Sequence, residues 1–122
     1  MTKLTSKELS DLIIEAIRNK KGENITRLDL RKTDGAICDY FVICQADNNR
    51  QVEAIADEIE DYVREKTREK PIHIEGRENA VWVLVDYVNV VVHVFLDECR
   101  NFYKIEDLWG DSNREDFENQ TL

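Results

Sequence analysis

Apolar positions along the chain switch between helical and strand periods, and the switches mark out its elements. Leu9, Leu12, Ile13, Ala16 and Ile17 recur at the intervals of one helix face, behind a Thr5-x-x-Glu8 spacing that suits a capping box. Lys20 and Lys21 complement the negative end of that helix, and Gly22 is placed to close it. The pattern from Ile25 to Leu30 is a strand with Leu28 and Leu30 on one face. Cys38 to Cys44 is a nearly continuous apolar run, which predicts a strand covered on both sides. Asp47 and Asn48 offer a cap for a second helix, in which Val52, Ile55, Ala56, Ile59 and Val63 form the buried stripe. Its other face carries Glu53, Asp57, Glu58, Glu60 and Asp61. Pro71 ends it, and short strands follow near Ile72–Glu75, Val81–Asp86 and Val90–Phe95. Asp97 caps a last short helix bearing Cys99, Phe102 and Tyr103, with Ile105, Leu108 and Trp109 continuing onto the body. The order predicts an α/β fold, a single domain with a mixed sheet of about five strands flanked by helices.

The last two strands carry the sharpest expectation. If they form a hairpin with an even-numbered loop, Val81, Val83, Val85, Val90, Val92 and Val94 share one face, a core face. Trp82, Leu84 and Asp86 then share the other with Val91, His93 and Phe95. Two large aromatics beside a carboxylate and an imidazole are unusual for pure packing. A strand tryptophan with Asp86 and Glu75 near it has the composition of a binding hot spot. Read as such an anchor, Trp82 should cost under about 1 kcal/mol of stability on truncation to alanine. Read as core it should cost about 3–5 kcal/mol.

Charge narrows the class of partner. The 122 residues hold 17 Lys plus Arg against 26 Asp plus Glu, a formal net charge of −9. Residues 1–22 sum to +2, residues 23–96 to −6 and residues 97–122 to −5. So acidic a body disfavours a direct grip on nucleic acid and favours a basic protein partner. The stretch after Trp109 has almost nothing to bury, so residues 1–111 are expected to form the domain and 112–122 an acidic, flexible tail. No run of eighteen apolar residues and no signal-peptide core is present, and Cys38, Cys44 and Cys99 lack a metal-binding spacing. Buried reduced thiols in a cytoplasmic protein are the expectation.

No catalytic motif emerges. His73, Glu75, Asp86 and His93 have no metal-ligand spacing, and neither a nucleophile elbow nor a phosphate-cradling glycine loop occurs. A nucleotidyltransferase-like enzyme would need Gly-Ser and Asp-x-Asp, and the chain has neither. Neither a cofactor nor a metal is expected. A generic protein-binding adaptor stays open as an alternative.

Six segments bring a family into view: Cys38-Asp39-Tyr40-Phe41-Val42-Ile43, Arg50-Gln51-Val52-x-Ala54-Ile55-Ala56, Ile74-Glu75-Gly76, Trp82-Val83-Leu84-Val85-Asp86, Val91-Val92-His93-Val94-Phe95 and Arg100-x-Phe102-Tyr103-x-Ile105-Glu106-x-Leu108-Trp109. In this order and spacing the chain resembles the Iojap-related ribosomal silencing factor family over residues 5–111. The resemblance implies a fold similar to the nucleotidyltransferase core and a cytoplasmic protein that is not an enzyme. It implies binding to the large ribosomal subunit at its basic ribosomal protein fourteen, with little direct nucleic acid contact. Small-subunit joining is thereby blocked and translation repressed in starvation. Members are monomers or homodimers when free. The resemblance assigns Trp82 to the partner contact, and Glu75, Asp86, Asp39 and Tyr87 beside it. Where many members carry a turn glycine before the last strand, this chain reads Asp86-Tyr87-Val88-Asn89.

Overall fold

A computed structural model describes residues 4–109 and 112–119, and the side chain of Phe102 lies outside what is described. Helix α1 (Ser6–Asn19) starts at the predicted capping box: Thr5 Oγ1 accepts from the Glu8 amide and Glu8 Oε1 from the Thr5 amide. Helix α2 (Asn49–Thr67) is capped by Asn48, whose side chain accepts from the Gln51 amide at 2.8 Å. Its buried stripe is the predicted set, Val52, Ile55, Ala56, Ile59 and Val63. On α1 the stripe is broader than the spacing implied, with Ile14 and Ser10 buried and Leu12 half-buried.

The sheet has six strands: β1 (Glu23–Asp29), β2 (Tyr40–Ala46), β3 (His73–Glu75), β4 (Trp82–Asp86), β5 (Val90–Leu96) and β6 (Asn113–Phe117), in the order β3-β4-β5-β2-β1-β6. The central pair β2–β5 is parallel and every other pair antiparallel, so the sheet is mixed as predicted. β1 carries a bulge between Glu23 and Thr26, where Asn24 takes a left-handed backbone (φ 49°).

Helices α1 and α2 cover one face, against Ile25, Val42, Cys44, Val83, Val85, Val92 and Val94. The opposite face carries a smaller cluster of Leu28, Leu30, Phe41, Ile43, Val91 and Phe95. It is roofed by α3 (Asp97–Tyr103) and by α4 (Ile105–Leu108), which buries Ile105 in that cluster. β2 is therefore covered on both sides, as its unbroken apolar run implied. Helix α3 begins one residue earlier than a cap at Asp97 would place it. Leu96 is the N-cap without a side-chain bond, and Asp97 Oδ1 accepts from the Glu98 amide.

One segment differs from its sequence reading. Residues 113–117, expected within a flexible tail, form β6 along the outer edge of β1. Burial of apolar area does little here, since only Phe117 is half-buried. Polar pairing holds the strand instead. Arg27, buried under α1, is bonded at 2.7 Å by Glu115 and at 2.5 Å by Asp11, and Thr26 donates to Asp116 at 2.7 Å. A buried guanidinium needs counter-charges, and the acidic segment supplies one.

Candidate functional site

The hairpin register decides what the uncovered part of the second face presents. Trp82 pairs with Phe95, Leu84 with His93 and Asp86 with Val91, which is the even-loop arrangement read from the sequence. β4 is buried at Val83 and Val85 and half-buried at Trp82, Leu84 and Asp86, so its second face is only partly roofed.

Trp82 lies in an aromatic shelf. Its ring stacks on Phe95 at 4.9 Å between centroids and 29° between planes, and Tyr103 of α3 sits against it at 4.8 Å. The indole Nε1–H donates to His93 Nδ1 at 3.1 Å. His93 is only 5% exposed, and burial pushes its pKa down to about 4, so the imidazole is neutral. The loop at Gly76 and Arg77 fixes the chain beside Trp82. Gly76 has φ +88°, and a Cβ there would run into the Trp82 carbonyl, so only glycine fits. Arg77, next in sequence, is tied to α2 by ion pairs with Asp57 and Glu60.

The rim is charged. Glu75 stands opposite Leu84 and His73 opposite Asp86, with His73 Nε2 2.6 Å from Glu75 Oε1. Asp86 Oδ1 accepts from the Val88 amide at 2.7 Å, holding the β4–β5 turn. Asp39 lies where β2 begins, and its carboxylate accepts from Ser6 Oγ at 2.5 Å. Burial first, then the charges of Asp86 and Asp39, push the Cys38 thiol up to about 11. Both carboxylates therefore bear on the same end of the sheet.

Four of the five residues singled out from the sequence thus border this surface or its end, and Tyr87 does not. It follows Val85 on the helix-covered face, is 6% exposed, and burial, then Glu60 and Glu69, raise its phenol. Strand parity with Val85 already carried that placement. Leu84 and Tyr103 complete the shelf. Tyr103 was legible only as part of a motif, because a seven-residue helix says little about where its ends reach.

Cys44 is wholly buried with its thiol pushed up to about 12, so neither it nor Cys38 presents a thiolate. Among the described residues no group of three or more His, Cys, Asp or Glu is disposed to hold a metal, and no helix is long and apolar enough to cross a membrane. A polar cleft of about 370 Å³ between β1, β6 and the α3–α4 segment is lined by Arg100 and Arg114, but its cations are already engaged. Arg100 bonds the Asn24 carbonyl, Gln45 and Thr26 and pairs with Glu106, and Arg114 pairs with Asp116. An apolar, aromatic centre with an acidic rim is suited to docking a protein.

The family model described as "Ribosomal silencing factor during starvation" matches residues 3–122. A relative from Halalkalibacterium halodurans named ribosomal silencing factor RsfS is 39% identical over 109 residues, covering 89% of this chain and 92% of its own. A mouse protein named mitochondrial assembly of ribosomal large subunit protein 1 is 29% identical over 101 residues, covering 81% of this chain and 44% of its own. A crystal structure of a Chromobacterium violaceum protein superposes with a TM-score of 0.82 at 35% identity, covering 98% of this chain and 91% of its own.

Proposed function

The chain belongs to the ribosomal silencing factor family, and from that premise we propose that it docks on the large ribosomal subunit through the Trp82 shelf. The partner is the subunit's basic ribosomal protein fourteen. With that surface occupied, the small subunit cannot join, and translation is repressed without any covalent step. The protein acts in the cytoplasm, needs no cofactor and touches little RNA.

The observation that carries this reading is the half-buried tryptophan on a partly roofed sheet face, rimmed by Glu75 and Asp86, on a body of net charge −9. A large aromatic, already held on one side by Phe95, loses little conformational freedom on binding, which is what a hot spot requires. The acidic rim and body steer the encounter with a basic protein and oppose approach to rRNA phosphates. Asp39 extends the charged rim past the turn. Tyr87, buried, serves by supporting the turn from the helix side. The mouse relative's name refers to assembly of a ribosomal large subunit, which supports a large-subunit partner.

The test is co-sedimentation with purified subunits. Added protein should travel with large subunits and be absent from small ones, and Trp82→Ala should abolish most of that. Equal recovery with both subunits, or none with either, refutes the proposal.

A further inference from the structure

We propose that His93 is a positioning residue for the docking surface: its buried Nδ1 accepts the Trp82 indole N–H and selects which edge of the ring is presented to the partner. The inference rests on the docking reading above and adds a residue that no partner would touch.

The ring contacts of Trp82 hold the indole ring, and the hydrogen bond to His93 holds its N–H edge. Phe95 stacks on the indole at 4.9 Å, and Tyr103 makes a tilted contact with it at 4.8 Å. Turning the indole over about its Cβ–Cγ bond would swing its six-membered ring to the other side of that axis and disturb these contacts too. Such a flip moves the N–H to the other side and changes the edge that faces outward. The hydrogen bond to His93 at 3.1 Å distinguishes the two orientations. The register explains the reach: His93 pairs with Leu84, so it is the diagonal cross-strand neighbour of Trp82, within range of a long side chain.

Packing alone gives no reason for an imidazole here. Its neighbours are Phe41 at 4.7 Å, Phe95 at 6.3 Å and, across the parallel ladder, Ile43. Such a site favours a phenyl or aliphatic side chain, because a buried polar group without partners is costly. Nε2 is buried and has no hydrogen-bond partner among the described residues, whereas Nδ1 is met by Trp82. Since the indole can only donate, Nδ1 must hold a lone pair and the proton sits on Nε2. Burial keeps the ring neutral, which preserves that acceptor.

The experiment uses the full chain in three variants: His93→Leu, which removes the acceptor, His93→Asn, which returns an acceptor oxygen near the place of Nδ1, and Trp82→Ala. Two readouts are taken, the ¹⁵N-labelled indole N–H resonance of Trp82 and a titration with large subunits, scaled to the folded fraction. The wild-type indole resonance should be single, shifted downfield and slow to exchange. In His93→Leu it should move upfield and exchange faster, with binding weaker by roughly five- to tenfold, the scale of one neutral hydrogen bond. His93→Asn should recover a good part of both. An unmoved indole signal in His93→Leu, or wild-type affinity with the signal lost, overturns the proposal. Should His93→Leu fail to fold, His93→Phe, which fills the ring's place and has no acceptor, takes its place under the same criteria. Unchanged binding by Trp82→Ala overturns the docking reading and this proposal with it. Weakened binding there, with His93→Leu unaffected, overturns this proposal alone.

Discussion

Val88 occupies a place in the β4–β5 turn that glycine would fill more easily, and replacing it gives a clean test of the turn's geometry. Its φ is +77°, the Asn89 amide donates to the Tyr87 carbonyl at 3.0 Å across it, and Tyr87 and Val90 close the hairpin at 2.9 Å. A non-glycine residue held at positive φ costs of order 1–3 kcal/mol, and branching at Cβ places valine toward the upper half. Glycine gives back roughly 0.5–1 kcal/mol through its larger loss of backbone entropy. Trimming a side chain already 58% exposed forfeits about 0.5 kcal/mol more of burial. Val88→Gly should therefore stabilise the protein by about 1 kcal/mol, about 4 °C in melting temperature for a chain of this size. The Asp86 bond to the residue 88 amide survives the change, so the turn keeps its shape. Urea denaturation of wild type, Val88→Gly and Val88→Ala decides the matter. Alanine keeps a Cβ at the same φ and should gain less than half as much. A glycine variant no more stable than wild type would show that residue 88 is not held at positive φ.

Three further outcomes follow from buried groups. His93, at about 4, lies below the ordinary 6.5, so its unfolded form takes up a proton first as the pH falls. Its contribution is whole above about pH 6.5 and drains away toward pH 4 at about 1.4 kcal/mol per unit, about 3 kcal/mol in all. His93→Asn should flatten that slope in denaturation curves taken across the window, and an equal slope in both proteins contradicts the burial. Arg100, 5% exposed and bonded to β1, β2 and Glu106, anchors the α3–α4 segment. Arg100→Leu should cost about 3–5 kcal/mol in urea denaturation by stranding Glu106, and a loss under about 1 kcal/mol contradicts it. Trp82→Ala should cost about 2 kcal/mol of stability, between the anchor and core limits, because the ring is half-buried and bonded to His93. Binding per folded molecule should fall roughly thirtyfold besides, as for a truncated aromatic hot spot. Stability loss without affinity loss rejects its role in docking.

The elements legible in the sequence are those in which apolar side chains set the position. The α2 stripe, the valine face of the hairpin and the double-sided β2 each follow from periodicity, because one-residue slips would expose them. β6 was not legible. Asn113, Arg114, Glu115 and Asp116 show no apolar alternation, and the strand exists because Arg27 and Thr26 on β1 need partners that lie about ninety residues away in the chain. The site divides in the same way. The common face of Trp82, Leu84 and His93 came from parity, and so did the opposite face of Tyr87 for a reader who extended the Val83–Val85 alternation by one step. That Tyr103 closes over Trp82 depends on where α3 crosses the sheet, which no local pattern encodes. The Trp82–His93 bond needs the register itself, since a loop longer by one residue would have turned His93 into the helix-covered core.

The central claim is that occupancy of the large subunit through the Trp82 shelf prevents the small subunit from joining. Sucrose-gradient sedimentation of purified subunits, under conditions in which they associate, tests it most directly. With saturating wild-type protein, the intact-ribosome peak should fall and the protein should appear in the large-subunit fraction, while Trp82→Ala at the same concentration should leave the peak nearly intact. An undiminished intact-ribosome peak with wild-type protein bound to large subunits, or equal loss of the peak with Trp82→Ala, would contradict the account.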